Sequence, residues 1–252
     1  MNNITSKFTH VVKVNTFKAY NIGKQKYDCP VCKYYGPFRD INPPTGFRKN
    51  VFCPNCYSAE RHRLQKLVLD KLIESNDFPH KKMLHFAPEP FFQDLFRNTF
   101  KEYVTVDLYM ENVDVKADII NLPFQDEEFD FIFASHVLEH IQDDFTALSE
   151  IKRVIKPTGI AVLPVPILSN ETIEYPEPNP FEADHVRAPG FDYYERYINY
   201  FQHIEKYSSK DFSEKYQPFI YEDRTTWPTK ECPLRQPMVG EKHLEIVPVC
   251  YA

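Results

Sequence analysis

From residue 82 onward, short apolar runs alternate with stretches whose apolar positions recur at helical spacing. Lys82–Phe86 (KMLHF) is predicted as a strand, followed by the turn Ala-Pro-Glu-Pro and a helix near Phe91–Asn98. Pro90 suits the first helical position, where a missing N–H costs nothing. Tyr103–Leu108, Val115–Ile119 and Phe129–Ser135 read as further strands, the last with few polar residues and so buried on both faces. A helix is expected over Phe145–Ile155, stopped by Pro157-Thr158-Gly159, and then strands at Ile160–Ile167 and Leu244–Tyr251. Strands alternating with helices imply an α/β fold with a doubly wound, mostly parallel sheet. Right-handed crossovers put the ligand at the carboxyl ends of its strands. Upstream, the stretch beginning at Ser58 carries an imperfect helical stripe of Leu64, Leu67, Leu69 and Leu72.

At 252 residues and 42% hydrophobic content, the chain has room for one large domain or a small module plus a catalytic domain. No run of eighteen apolar residues exists, so no membrane span is expected. The start, MNNITSKFTHVVKVN, lacks a signal-peptide pattern, which makes the cytoplasm the default and reduced cysteines its companion. The net charge of -6 argues against a nucleic-acid partner, but it is uneven: residues 1–80 hold 13 Lys/Arg against 6 Asp/Glu, and the remainder 17 against 30. Two regions with different jobs would give this split, as would an acidic body with a basic appendage. The expected division is an extension over 1–27, a ribbon over 28–60, a linking helix over 61–80 and a main domain over 81–252. Within the last, a proline- and acid-rich lid loop is expected over 168–192 and an insertion over 209–243.

Four of the six cysteines form two C-x2-C pairs, Cys29/Cys32 and Cys53/Cys56, with twenty residues between them. Two tight turns can each present two thiolates to a tetrahedral zinc, and the spacing matches that pattern. Four thiolates leave no open coordination position, so a structural Zn2+ is expected. Just beyond lie Arg61, His62 and Arg63, open to a solvated face, a cofactor carboxylate, a substrate or RNA phosphate.

The stretch ADIINLPFQDEEFDFIFASHVLEHIQDD…LSEIKRVIKPTGIAVLPVP resembles class I S-adenosylmethionine-dependent methyltransferases of the type 11, ubiquinone and biotin biosynthesis kind. There a D-x-x-x-LPF segment, an FD strand, a VLEH helix start and an RVLKPGG-type turn follow in this order. LHFAPE together with CPVC…CPNC-x-S-x-E-RHR is similar to a bacterial zinc-ribbon subgroup. The resemblance covers about residues 80–170 and implies a seven-stranded sheet and S-adenosylmethionine as cofactor.

It also implies roles. The loop Phe86-Ala87-Pro88-Glu89 would face the methionine part of the cofactor, although the family's glycines are absent from it. That leaves either a different loop conformation or a degenerate site. Asp107, with Leu108 beside it, would take the ribose hydroxyls. Asp118 and the backbone N–H of Ile119 would take the adenine. Ser135 and His136 would lie beside the sulfonium.

His136-Val-Leu-Glu139-His140 also has the H-x-x-E-H spacing of an inverted zinc-protease motif. It directly follows a buried strand, within a methyltransferase pattern, and that reading is set aside. Methyl transfer to oxygen or nitrogen can need a base, and histidine suits neutral pH. His136, His140 and, in Asp184-His185-Val186-Arg187, His185 are the catalytic candidates. Arg187, Tyr193, Tyr194 and Arg61 are candidates for substrate contact. The leading expectation is a small-molecule methyltransferase. The alternatives are an RNA methyltransferase that grips RNA through the ribbon and a non-catalytic zinc-ribbon protein with a dead cofactor site.

Overall fold

The computed structural model describes residues 2–252, with side chains from Phe8 onward. Seven strands make the central sheet: β1 (Lys82–Phe86), β2 (Glu102–Asp107), β3 (Val115–Lys116), β4 (Phe129–Ala134), β5 (Ile155–Val162), β6 (His203–Ser208) and β7 (Ile246–Tyr251). Their spatial order is β3-β2-β1-β4-β5-β7-β6. The first five are parallel; β7 runs antiparallel to both β5 and β6. The strand order reverses between β1 and β4, where Phe86 is flanked by Val106 and Ala134. That switch point opens the crevice in which doubly wound sheets bind ligands.

Side chains alternate along each strand, and the two faces build two cores. On one face Leu84, Ile132 and Ala161 pack with Ala147, Leu148 and Ile151 of α4 (Asp144–Val154) and with Tyr193, Tyr194 and Tyr197. On the other Met83, Phe131, Phe133 and Val162 pack with Phe92 and Phe96 of α3 (Pro90–Thr99) and Leu64, Val68, Leu69 and Leu72 of α2 (Glu60–Ser75). The helix expected as a link therefore covers the sheet. Pro90 stands at the start of α3 as its chemistry requires.

Two expectations shift. The segment Pro157-Thr158-Gly159 lies within β5, where the pairing jumps from Phe129↔Ile155 to Phe131↔Ile160. A bulge tolerates a proline that a regular ladder would not. At its other end β5 stops at Val162, because Pro164 and Pro166 have no N–H for a ladder. The expected lid loop contains a hairpin, Ile173–Asn179 against His185–Ala188.

The cysteine region is joined to the body. Its strand Arg48–Phe52 pairs with Arg39–Ile41 and with Ile220–Glu222, which in turn pairs with Lys242–His243. The segment 209–243 thus completes the ribbon's sheet. Arg63, fully buried, pins the junction: it donates to the carbonyls of Val51 (2.8 Å), Ser58 (2.7 Å) and Gln217 (2.9 Å) and lies over the Phe38 ring. The N-terminal helix α1 (Asn2–Tyr20) touches the ribbon through His10 and Asn55 and through Phe17 under Arg39.

Candidate functional site

At the carboxyl end of β1 the chain must turn sharply into α3. Ala87 does so in the left-handed region, φ +44°, and its N–H donates to Val106 O at 3.0 Å. Glycine would adopt this conformation freely, whereas an L-residue is strained there. The loop therefore has a left-handed turn without the glycine that usually marks one. Phe86 and Pro88 are buried beneath it. Glu89 closes it by accepting from Arg61 (3.3 Å) and by bonding His62 Nε2 at 2.7 Å. His62 Nδ1 accepts the Ala59 N–H, so in the neutral ring the proton sits on Nε2 and is donated to Glu89. Burial alone would raise the Glu89 carboxyl; the His62 bond and the Arg61 charge outweigh it and hold it at about 2.

The β2 end carries Asp107. Its Oδ1 accepts the N–H groups of Tyr109 and Met110, both at 2.7 Å, which stiffens the turn and leaves Oδ2 outside these two bonds. Leu108 beside it is exposed. Asp118 accepts the Ile120 N–H at 3.2 Å, and Ile119 is buried behind it. These acids lie along the edge of the crevice formed by β1, β2 and β3.

At the β4 end, Ser135 accepts from Gln65 Nε2 of α2 at 3.0 Å. His136 takes a left-handed backbone, φ +53°, and its N–H donates to Pro164 O at 2.9 Å. Its side chain is only 13% exposed, and this partial burial with the nearby Arg61 charge pushes its pKa well below the usual imidazole value. A short 3-10 turn, Leu138–His140, follows. His136 Nδ1 lies 3.3 Å from Glu139 Oε1, and the His140 and His185 rings meet edge to face with centroids 4.7 Å apart. His185 is held down to about 4, first by burial. The three catalytic candidates thus converge around one carboxylate, Glu139, which the sequence showed only within the H-x-x-E-H spacing that was set aside.

Other candidates are spent inside the protein. Arg187 is 1% exposed and donates to the carbonyls of Leu138 (2.7 Å), Ile141 (2.6 Å) and Gln142 (3.0 Å), and to Glu174 at 3.0 Å. Tyr193 donates to Asp144 at 2.7 Å, and Tyr194 to Val165 O at 3.2 Å, both fully buried. Arg187, Tyr193 and Tyr194 are therefore buried and engaged by the protein's own groups. Of the four substrate candidates, Arg61 alone keeps an accessible side chain, 39% exposed.

The four ribbon thiols form a compact group. Cys29 Sγ lies 3.7 Å from Cys56 Sγ, and Cys32 Sγ 3.6 Å from Cys53 Sγ. A tetrahedral metal with bonds of about 2.3 Å spaces its thiolates about 3.8 Å apart. A disulfide needs about 2.05 Å. The two knuckles match: Lys33 and Tyr57 are left-handed, and their N–H groups return to Cys29 O (2.9 Å) and Cys53 O (2.8 Å). The donor set fits a thiophilic divalent ion.

Residues 89–163, less than a third of the chain, match the family described as Methyltransferase domain. The protein is thus a doubly wound α/β domain in which a segment across the switch point is similar to that family. A demethylmenaquinone methyltransferase of Staphylococcus carnosus (strain TM300) is 44% identical over 54 residues, which is 21% of this chain and 22% of that protein. One from Staphylococcus aureus (strain JH9) is 43% identical over 54 residues, again 21% and 22%. The chain matches only about a fifth of the length of these curated relatives. Among solved structures, an S-adenosylmethionine-dependent methyltransferase from Mesorhizobium loti is 12% identical, with 74% of this chain and 97% of that chain covered at a TM-score of 0.49. One from Archaeoglobus fulgidus is 16% identical, covering 75% and 94% at a TM-score of 0.46.

Proposed function

We propose that this protein transfers a methyl group from S-adenosylmethionine to an oxygen or nitrogen of a small molecule, and that its four cysteines hold a structural Zn2+. The observation that carries this reading is the family match across the switch point, on a crevice whose loop turns at Ala87 and whose far edge presents Asp107. S-adenosylmethionine would lie across β1, β2 and β4. Its methionine end would face Ala87 and Glu89, its ribose Asp107, and its adenine Asp118 and Ile119. The cofactor supplies the activated methyl group, and the protein supplies binding and alignment. His136 is the proposed base. With Nδ1–H facing Glu139, its buried and unpartnered Nε2 keeps a lone pair for the acceptor proton. The names of the Staphylococcus relatives favour a small acceptor. Two groups that the RNA alternative would use turn inward, Arg63 and Phe38, the latter buried against Tyr27 and Tyr34, while Tyr35 and Phe47 stay exposed.

Calorimetric titration with S-adenosylmethionine tests the reading. Asp107→Asn keeps the Oδ1 acceptor for Tyr109 and Met110 but removes the charge offered to the ribose. Hydrogen bonds to a charged group are worth about 1.5–3 kcal/mol, so its Kd should rise about 10- to 150-fold. No binding to the native protein at millimolar cofactor sinks the proposal; unchanged affinity in Asp107→Asn sinks the ribose assignment.

A further inference from the structure

Among the described residues, Glu139 is a fully buried carboxylate with no hydrogen bond, in a neighbourhood where other acids are engaged. Asp144 is engaged by Tyr193, Arg187 and Arg196, and Glu174 by Arg187 and Arg196. Glu182 is engaged by Tyr175, Asn179 and Arg235. Glu139 is fully buried, yet neither of its oxygens has a hydrogen-bond partner among the described residues. The nearest nitrogens, on His136 at 3.3 Å and His140 at 4.0 Å, make no bond with it. His185 Nδ1 is likewise buried and without a hydrogen bond, its nearest carboxylate outside the cluster being Glu182 at 3.9 Å. An uncompensated buried carboxylate is costly, and so is an unsatisfied buried nitrogen. One ligand atom each from Glu139, His140 and His185 lies within 4.8 Å of the others.

From this geometry we infer that Glu139, His140 and His185 form a divalent metal site, separate from the cysteine cluster, with open positions toward the crevice. Two imidazoles and one carboxylate suit Zn2+, Mn2+ or Fe2+ and disfavour Mg2+ and Ca2+, which prefer all-oxygen shells. Three protein ligands are the set that leaves room for water or a substrate oxygen. The open side is that of His140, whose side chain is 35% exposed, whereas Glu139 is 0% exposed and His185 13%. The H-x-x-E-H spacing contributes Glu139 and His140 from a 3-10 turn, not from a long helix, and the third ligand comes from the hairpin strand His185–Ala188. Arg187 fixes the two segments relative to each other, since it sits two residues past His185 and binds the carbonyls of Leu138, Ile141 and Gln142. Such anchoring holds ligands in place before the ion arrives. The site also narrows the acceptor to one with a metal-binding oxygen, such as a hydroxyl, and that step alone rests on the methyl-transfer reading.

The test uses the full chain with its cysteine site zinc-loaded and no S-adenosylmethionine present. Mn2+ is titrated and free Mn2+ followed by electron paramagnetic resonance, with total metal by mass spectrometry. About one ion per chain beyond the ribbon zinc is expected. Glu139→Gln and His140→Ala should each weaken Mn2+ binding at least tenfold while the circular dichroism spectrum stays native. His140 is partly exposed, so its variant should fold even if a Glu139 variant does not. A native protein that takes up no Mn2+ and only one zinc overturns the site, as does a folded His140→Ala that binds Mn2+ as before. The cofactor titration separates the two proposals: S-adenosylmethionine binding without Mn2+ uptake removes only the metal site, and the converse removes only methyl transfer from this cofactor.

Discussion

Arg187→Ala should destabilise the protein severely rather than impair substrate binding alone. The guanidinium is 1% exposed, and its five N–H donors serve three carbonyls, Leu138 O, Ile141 O and Gln142 O, together with Glu174. Asp144, also 1% exposed, is 3.5 Å away. Truncation leaves Leu138 O with only the Ile141 N–H, takes the Arg187 donors from Ile141 O and Gln142 O, and removes one cation from Asp144, which retains Tyr193 and Arg196. Removing one partner from a buried charge network costs about 3–5 kcal/mol. For a chain of this size each kcal/mol moves the melting temperature by about 2–4 °C, so a fall of roughly 6–20 °C is expected. Arg187→Lys should recover only part of it, because an ammonium cannot span three carbonyls and a carboxylate from one atom. Differential scanning calorimetry reads the loss directly. A melting temperature within about 2 °C of native, with acceptor KM raised, would mean that Arg187 faces the substrate and that the buried clamp is wrong.

Two further outcomes follow from buried cations and imidazoles. Arg63→Met removes the donor shared by Val51 O, Ser58 O and Gln217 O and should cost about 3–5 kcal/mol; hydrogen exchange should rise over 28–60 and 217–222 before it rises in the sheet, and a uniform rise would refute the pin. Burial holds His85 at about 3, against 6.5 in the unfolded chain, so it adds nothing above pH 6.5 and costs the native state up to about 1.4 kcal/mol per pH unit as pH falls from there toward 3. His85→Phe should flatten the pH dependence of the urea midpoint between pH 7 and 4, and parallel curves for the two proteins would contradict the shift.

The sheet was legible because buried strands leave contiguous apolar runs. Phe129–Ala134 and Lys82–Phe86 coincide with theirs. The cysteine cluster was legible because its ligands come in two close pairs. What stayed hidden was non-local. Tyr221 pairs with Lys49 in strands of three and five residues, too short for a period to register across such a separation. Charge carries no sign of burial in the sequence, so Arg63 and Arg187 looked like surface groups awaiting a ligand. The loop after β1 left two readings open, a different conformation or a degenerate site, because the family's glycine is missing where Ala87 adopts the left-handed turn itself. Glu139 and His140 were visible as a spacing, but the third member, His185, lies on a hairpin that prolines and acids had disguised as a loop.

The strained positions say why this crevice has the shape it does. Ala87 and His136 both hold positive φ, at +44° and +53°, and both follow the carboxyl ends of strands adjacent at the switch point, β1 and β4. Each such residue costs about 1–2 kcal/mol, so its surroundings must over-determine it. For Ala87 the constraints are the Val106 carbonyl and the Glu89–His62 closure two residues away on the chain's own path into α3. For His136 they are the Pro164 carbonyl, the Gln65 bond to Ser135, and the turn that Arg187 clamps. Relaxing His136 to an ordinary φ would swing its ring away from Glu139, and the buried carboxylate would lose its nearest nitrogen. The strain therefore fixes the direction of the proposed base toward the same point at which Glu139, His140 and His185 converge. Crevice and histidine cluster are held by separate anchors, α2 through Gln65 and the hairpin through Arg187, so the shape of each is set by the protein's own hydrogen bonds.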